Sequence, residues 1–235
     1  MNEFTYLFKG FRMLTHKELR AYIVIPLCIN IALCLLFLYW GVHEFSQLMQ
    51  WMDAKLPNWL HWLSWLLWIF FFLGAIVLFS HAFSILANLV GAPFNSFLSA
   101  KVQKIISGQT PETGLNLWQE AWNAIARQCR FMLYYFLWAL LTVTLFFIPV
   151  INVVATPVWF LLNAWMMSIQ YLDYPMDNNR ISFSAMRVKM AQKRGQSIGF
   201  GSMVLLATMI PLVNCLIMPA AVIGATLFYL ESYQS

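Results

Sequence analysis

The residues whose types and spacing point to chemistry are cations and amides rather than catalytic groups. Thr15-His16-Lys17-Glu18 has the form of a capping box, a hydroxyl followed three residues later by a carboxylate. A helix starting there places Lys17 and Arg20 in its first turns, where free N–H groups and the helix dipole already favour an anion. Anchoring to lipid headgroups is an equally simple reading of the same two cations. A second candidate lies in two matching phrases, FIPVINVVATP at 147–157 and MIPLVNCLIMP at 209–219. Both fit I-P-x-x-N-x-x-x-x-P, so Pro149, Asn152 and Pro157 answer Pro211, Asn214 and Pro219. Here proline ends one helix, asparagine caps the next, and the second proline sits inside the returning helix. Asn152 and Asn214 then begin helices whose positive ends suit an anion, although simple capping is the plainer reading. Asn30, Asn88, Asn163 and Gln170 read as hydrogen-bonding glue between helices, with pore lining as the sharper alternative.

Enzymatic chemistry finds little support. His16, His43, His61 and His81 are far apart, and the chain has no H-E-x-x-H, no G-x-S-x-G and no Walker loop. No enzyme activity, cofactor or metal is expected. His81 lies within an apolar run, where a hydrogen-bonded core histidine is a simpler reading than a proton relay. Gly199 and Gly201 suit close helix packing. Cys28, Cys34, Cys129 and Cys215 form no C-x-x-C pair, so they read as small core residues rather than a disulfide framework or zinc site.

The elements that must position these residues are set by composition. Of 235 residues, 61% are apolar, 17% aromatic and 10% charged, with a mean hydropathy of +0.69. A soluble domain averages about 25% charged residues. The stretches 21–43, 56–100, 131–172 and 195–230 contain no Asp, Glu, Lys or Arg, and each exceeds the roughly 18 residues that mark a membrane helix. The chain therefore reads as an integral membrane protein, which excludes a soluble enzyme or nucleic-acid binder. The net charge of +5 fits orientation rather than nucleic acid. If the first two runs cross once and the last two go in and return, thirteen of the 14 Lys and Arg residues fall on one side. The positive-inside rule makes that side cytoplasmic and puts both termini there. No cleavable leader pattern is evident, so the N-terminus is expected to persist.

The expected architecture is a single all-α membrane domain over 1–235. It comprises an interfacial helix at 1–20, transmembrane helices at 22–42 and 60–88, and cytoplasmic amphipathic helices at 95–130. Hairpins follow at 131–172 and 197–230, joined by a cytoplasmic segment at 173–195. Pro26 falls in the first turns of the first span. In the interfacial helix Phe4, Leu7, Phe8, Phe11 and Leu14 share one face. Trp51, Trp59, Trp62, Trp65 and Trp68 form an aromatic belt. Gly108, Pro111 and Gly114 separate the amphipathic stretches. The arms of the last hairpin are about 24 Å long against a core of roughly 30 Å. Short arms and an uncharged tip suit a re-entrant hairpin; a tight full span is the alternative.

Several phrases carry a family resemblance. They are Ile25-Pro26-Leu27 with Asn30, Gly91-Ala92-Pro93-Phe94-Asn95, and Ala164-Trp165-Met166 through Ile169-Gln170-Tyr171. Asp173-Tyr174-Pro175-Met176-Asp177-Asn178 and the block from Met209 to Thr226 complete the set. In order and over nearly the whole chain, they resemble the bacterial CysZ-type sulfate permeases. The resemblance implies a bacterial inner-membrane protein that takes up sulfate for cysteine synthesis. It also implies long spanning helices, partly inserted hairpins and a dimeric or higher assembly in the bilayer. The family's pattern has a glycine and two adjacent arginines just before the first span. Here Arg20 matches the first arginine, Ala21 replaces the second, and Glu18 stands at the glycine. An anion site there would be weaker, or would draw on Lys17. With no ATP motif, the expected route is channel-like or ion-coupled. The alternatives are a carrier of another small oxyanion (sulfite, thiosulfate, molybdate) and a non-transporting membrane partner or regulator of a transporter.

Overall fold

The computed structural model describes residues 4–55, 61–109, 111, 114, 116–148 and 152–234. The described residues form helices and contain no strand. In chain order the helices are α1 (Phe4–Met13), α2 (Arg20–Lys55), α3 (His61–Ser107) and α4 (Leu117–Thr144), which ends in a 3-10 turn at Leu145–Phe147. They continue as α5 (Asn152–Asn178), α6 (Phe183–Gln192), α7 (Arg194–Thr208) and α8 (Pro211–Ser232). Four stretches, Arg20–Trp51, Trp68–Ser107, Leu117–Phe147 and Asn152–Asn178, are long and apolar enough to cross a membrane. Their side chains are correspondingly bare, with Phe70 66% and Leu78 73% exposed. Only a lipid solvent makes that surface stable. The chain is an all-α, multi-pass membrane protein.

The long helices outrun the spans expected of them. α2 continues from the first apolar run to Lys55, because nothing between Val42 and Lys55 breaks a helix. Pro26 is the seventh residue of α2, in its second turn. α3 has 47 residues and includes Pro93, so it takes in the stretch expected as a separate amphipathic helix. The break comes where the glycines allow it, with positive φ at Gly108 (72°) and Gly114 (60°). Asn116 then opens α4 through a reciprocal capping box with Gln119.

Contacts divide the chain into two compact units, one of residues 26–90 and one of residues 1–25 with 91–235. In the first, α2 and α3 run antiparallel and meet through rings. Phe37 lies edge-on to Phe79 and Phe83, at 6.1 and 6.2 Å between centroids, and Phe45 meets Trp68 and Phe72 at 5.6 and 5.7 Å. Of the aromatic belt, Trp51 and Trp65 are each 61% exposed and Trp68 36%. Trp59 and the side chain of Trp62 lie outside the described residues.

The second unit holds the buried core, which includes Leu98, Ile169, Leu172, Met186, Phe200 and Phe228. Two close helix approaches shape it. A Cβ at Gly201 would sit 1.8 Å from the Ala164 carbonyl oxygen, and one at Gly10 would sit 2.1 Å from that of Ala220. Only the absent side chains let α7 lie on α5 and α1 lie on α8. Tyr6 and Leu7 are buried, while Phe8 is 66% exposed. Leu7, Phe11 and Leu14 of the expected apolar stripe thus pack on the core, while Phe8 lies off it and Gly10 makes the close approach to α8.

At the proline phrases, the first hairpin turns between the 3-10 turn and Asn152, whose amide bonds to the Ile148 carbonyl at 3.1 Å. Pro149 lies outside the described residues. The second hairpin corrects the expected reading. α7 already ends at Thr208, and Pro211 opens α8 with Ile210 as its cap. Proline has no N–H to leave unpaired at a first helical position, so it starts the returning helix rather than ending the outgoing one. Asn214 falls inside the first turn of α8 instead of capping it, and its side chain lies outside the described residues.

Candidate anion site and its polar scaffold

The capping box expected at Thr15 is absent. The Thr15 hydroxyl donates to the Arg12 carbonyl at 3.2 Å, the Leu19 amide bonds to the His16 carbonyl at 3.0 Å, and α2 starts only at Arg20. Glu18 has turned to another partner. It accepts an ion pair from Lys101 of α3 at 2.6 Å, which removes it from any capping role. Lys17 and Arg20 are exposed on this short turn, and Arg20 Nη2 donates to the Thr15 carbonyl at 3.2 Å. The hydrogen bond from Lys101, and then its charge, hold the Glu18 carboxyl below its ordinary value, with His16 and Lys104 adding to the pull. The acid is therefore neutralised locally. Lys17 and Arg20 remain as the excess positive charge beside the first free amides of α2.

A polar scaffold is built on α3, α4 and α5. Arg127 of α4 is buried and forms a fork with Asp173 of α5. Its Nε lies 3.1 and 3.0 Å from the two carboxylate oxygens, and Nη2 also reaches Oδ1. Nη1 bonds the Ile181 carbonyl at 2.8 Å and pairs with Asp177 at 3.0 Å. Asp173 and Asp177 are one helical turn apart, so one guanidinium satisfies both. Next to them, the lower part of α3 is laced to the end of α5. Ser96 donates to Asn178 at 2.8 Å, Asn178 returns a bond to the Ser96 carbonyl at 2.9 Å, and Gln103 and Asn179 exchange amide bonds at 3.1 and 2.8 Å. Asn95 Nδ2 donates to the Tyr174 hydroxyl at 3.3 Å. Ser99 and Thr226 share a bond of 2.8 Å that ties α3 to α8. With Lys101 on the same α3 segment, this lacing fixes the partner of Glu18.

The family model described as Sulfate transporter CysZ/Etoposide-induced protein 2.4 matches residues 6–219. The chain belongs to this family. Among its relatives, a protein named Sulfate transporter CysZ from Pseudomonas fluorescens is 42% identical over 96% of this chain and 92% of its own length. One of the same name from Pseudomonas paraeruginosa is 38% identical over 96% and 93%. Another, from Pectobacterium atrosepticum, is 36% identical over 98% and 85%. The relatives are named as transporters rather than enzymes.

In this CysZ-family chain, two of the phrases that carry the resemblance meet in space. Gly91-Ala92-Pro93-Phe94-Asn95 and Asp173-Tyr174-Pro175-Met176-Asp177-Asn178 face each other across the α3–α5 lacing. The Arg127 fork was not among the candidates read from sequence. Its signal was there: two carboxylates at i and i+4 following an apolar run, with Arg127 and Arg130 in the preceding amphipathic stretch. Asn163 is interhelical glue, accepting from the Tyr135 hydroxyl at 2.7 Å and donating to its own helix at Trp159. Gln170 and Asn88 are half-buried without a side-chain hydrogen bond among the described residues. Asn30 has a buried Oδ1 with no partner there. Asn152 is exposed at the start of α5. His81 is exposed, with Nδ1 2.8 Å from the Val77 carbonyl of its own helix.

Proposed function

We propose that this protein imports sulfate across the bacterial inner membrane, for cysteine biosynthesis, by a channel-like or ion-coupled route that does not hydrolyse ATP. The observation that carries the reading is near-complete alignment at 36–42% identity with proteins named Sulfate transporter CysZ. The local chemistry is compatible with it. Lys17 and Arg20 offer two exposed cations next to the free N–H groups of α2, and the one nearby acid is neutralised by Lys101. We place both termini and this cationic turn on the cytoplasmic side, following the distribution of Lys and Arg. The second proline hairpin enters the bilayer partway, and the assembly is a homodimer or higher oligomer. The 15 residues of α7 give a helix of about 22 Å, short of the roughly 30 Å hydrocarbon core. Both arms of the first hairpin are long enough to cross, and Asn152 at its tip opens α5, where a helix start offers free N–H groups to a permeating anion.

The test is uptake of labelled sulfate into liposomes containing this protein alone. Flux above empty vesicles is expected, and competition by sulfite, thiosulfate and molybdate reads selectivity. Absence of flux removes the permease reading. Arg20→Ala is expected to weaken sulfate binding roughly tenfold or more, since a hydrogen bond to a charged group contributes about 1.5–3 kcal/mol.

A further inference from the structure

A groove of about 330 Å³ runs between α4 and α5, lined by Tyr134, Trp138, Leu161, Leu162 and Trp165 among others. Its volume is in the range that holds a small ligand or one acyl chain. Beyond the end marked by Tyr134 the chemistry changes. The guanidinium of Arg187, on α6, lies 4.7 Å from the centre of the Tyr134 ring and 5.3 Å from that of Phe183. Tyr134 in turn meets Phe183 and Trp138 edge-on at 5.9 and 6.3 Å. Arg187 is thus held by two aromatic faces, which fix its plane without neutralising its charge. Its Nε is buried and has no hydrogen-bond partner. Arg130, exposed, sits one helical turn before Tyr134 on the same face of α4. Among the described residues neither arginine makes an ion pair, and Asp173 is held by Arg127.

We infer that the α4–α5 groove is a site for one anionic phospholipid, with an acyl chain along Tyr134, Trp138, Leu161 and Trp165 and the phosphate on Arg187 and Arg130. A buried guanidinium nitrogen without an acceptor is costly, and a phosphate supplies acceptors in the planar geometry that arginine matches. Apolar grooves ending in a basic cluster are how membrane helices select headgroups by charge. A zwitterionic lipid fills the groove equally well but brings a cation to the same two arginines. Free glycerol phosphate has the charge but nothing for the groove. This site is separate from the Lys17–Arg20 turn, so it stands or falls independently of the sulfate reading.

Native mass spectrometry of the full-length protein in detergent tests it, with phosphatidylglycerol and phosphatidylcholine of matched chains as probes. One retained phosphatidylglycerol is expected, with weaker binding of phosphatidylcholine and no displacement by glycerol 3-phosphate. Arg187→Gln and the groove-filling Leu161→Trp should each lower phosphatidylglycerol binding by roughly tenfold, and Arg187→Lys should restore part of it. Should Arg187→Gln fail to fold, Leu161→Trp and Arg187→Lys still decide. Phosphatidylglycerol bound as tightly by Leu161→Trp as by wild type overturns the proposal, and so does equal retention of the two lipids by wild type. Conversion of an oligomer to monomer by Leu161→Trp, with lipid binding unchanged, assigns the groove to a second copy of the chain instead.

Discussion

Glu18 puts a negative charge two residues before Arg20, and Lys101 cancels it through a 2.6 Å pair. Under the proposed reading, Lys101 contributes to the anion site without having to touch the anion. Lys101→Ala should expose the Glu18 carboxylate to Lys17 and Arg20 and weaken sulfate binding several-fold, while adding Glu18→Gly should restore it; equilibrium binding of labelled sulfate checks both. The pH dependence has a definite sign. Lys101 holds the Glu18 carboxyl below its ordinary value, so the ion pair is intact above the unfolded value of about 4.3. It is lost as pH falls through the lower, folded value. Protonating Glu18 frees the Lys101 ammonium for the anion. Sulfate binding should strengthen across that acid range in the wild type and stay flat in Glu18→Gly. Lys17 and Arg20 were legible as anion candidates from their types and their place before an apolar run. The Glu18–Lys101 pair was not, because it joins a turn to the distant end of α3, and local spacing instead favoured a capping box.

At the level of helices, the sequence was most informative where a backbone rule is local. The chain turns at Gly108 and Gly114, where φ is positive, and the charge-free runs became the long helices. Boundaries were less legible, because helix-forming polar residues extend a helix past the end of its apolar run at no cost. Nothing in a periodicity count marks residue 42 or 88 as an end. Gly10 adds what the apolar stripe alone does not give, the close approach of α1 to Ala220 and Gly224 of α8. The Arg127 fork pins α4 to α5 and the following loop through Asp173, Asp177 and Ile181, and it carries a prediction of this scale. Removing Arg127 leaves the carboxylates of Asp173 and Asp177 without their cation, so Arg127→Met should destabilise the protein by about 3–5 kcal/mol. Replacing Arg127, Asp173 and Asp177 together with Met, Leu and Leu should cost much less, because no charge is then stranded. Thermal unfolding in detergent separates the two outcomes. Equal losses in both variants would mean that the fork contributes through packing alone.

For the whole molecule the deciding physics is the membrane potential. Sulfate carries two negative charges, so an inside-negative potential opposes its entry by about 4.6 kcal/mol per 100 mV. That corresponds to more than a thousandfold in concentration ratio, at about 1.4 kcal/mol per factor of ten. A protein that only conducts must therefore rely on consumption of sulfate inside. One that accumulates it must bring in compensating positive charge. Liposomes clamped with a potassium gradient and valinomycin distinguish these cases without any mutation. A simple pathway should let sulfate equilibrate freely at zero potential, and an inside-negative clamp should drive preloaded sulfate out, with its steady ratio following the twofold charge. Coupling to two monovalent cations makes transport electroneutral, and the steady ratio then follows the cation gradient and ignores the clamp. On α5, Asp173 and Asp177 are paired with Arg127 rather than free to carry a proton, and His81 is occupied with its own helix at Val77. The pathway that conducts without coupling is accordingly the expected result, and a ratio indifferent to the clamp would overturn it.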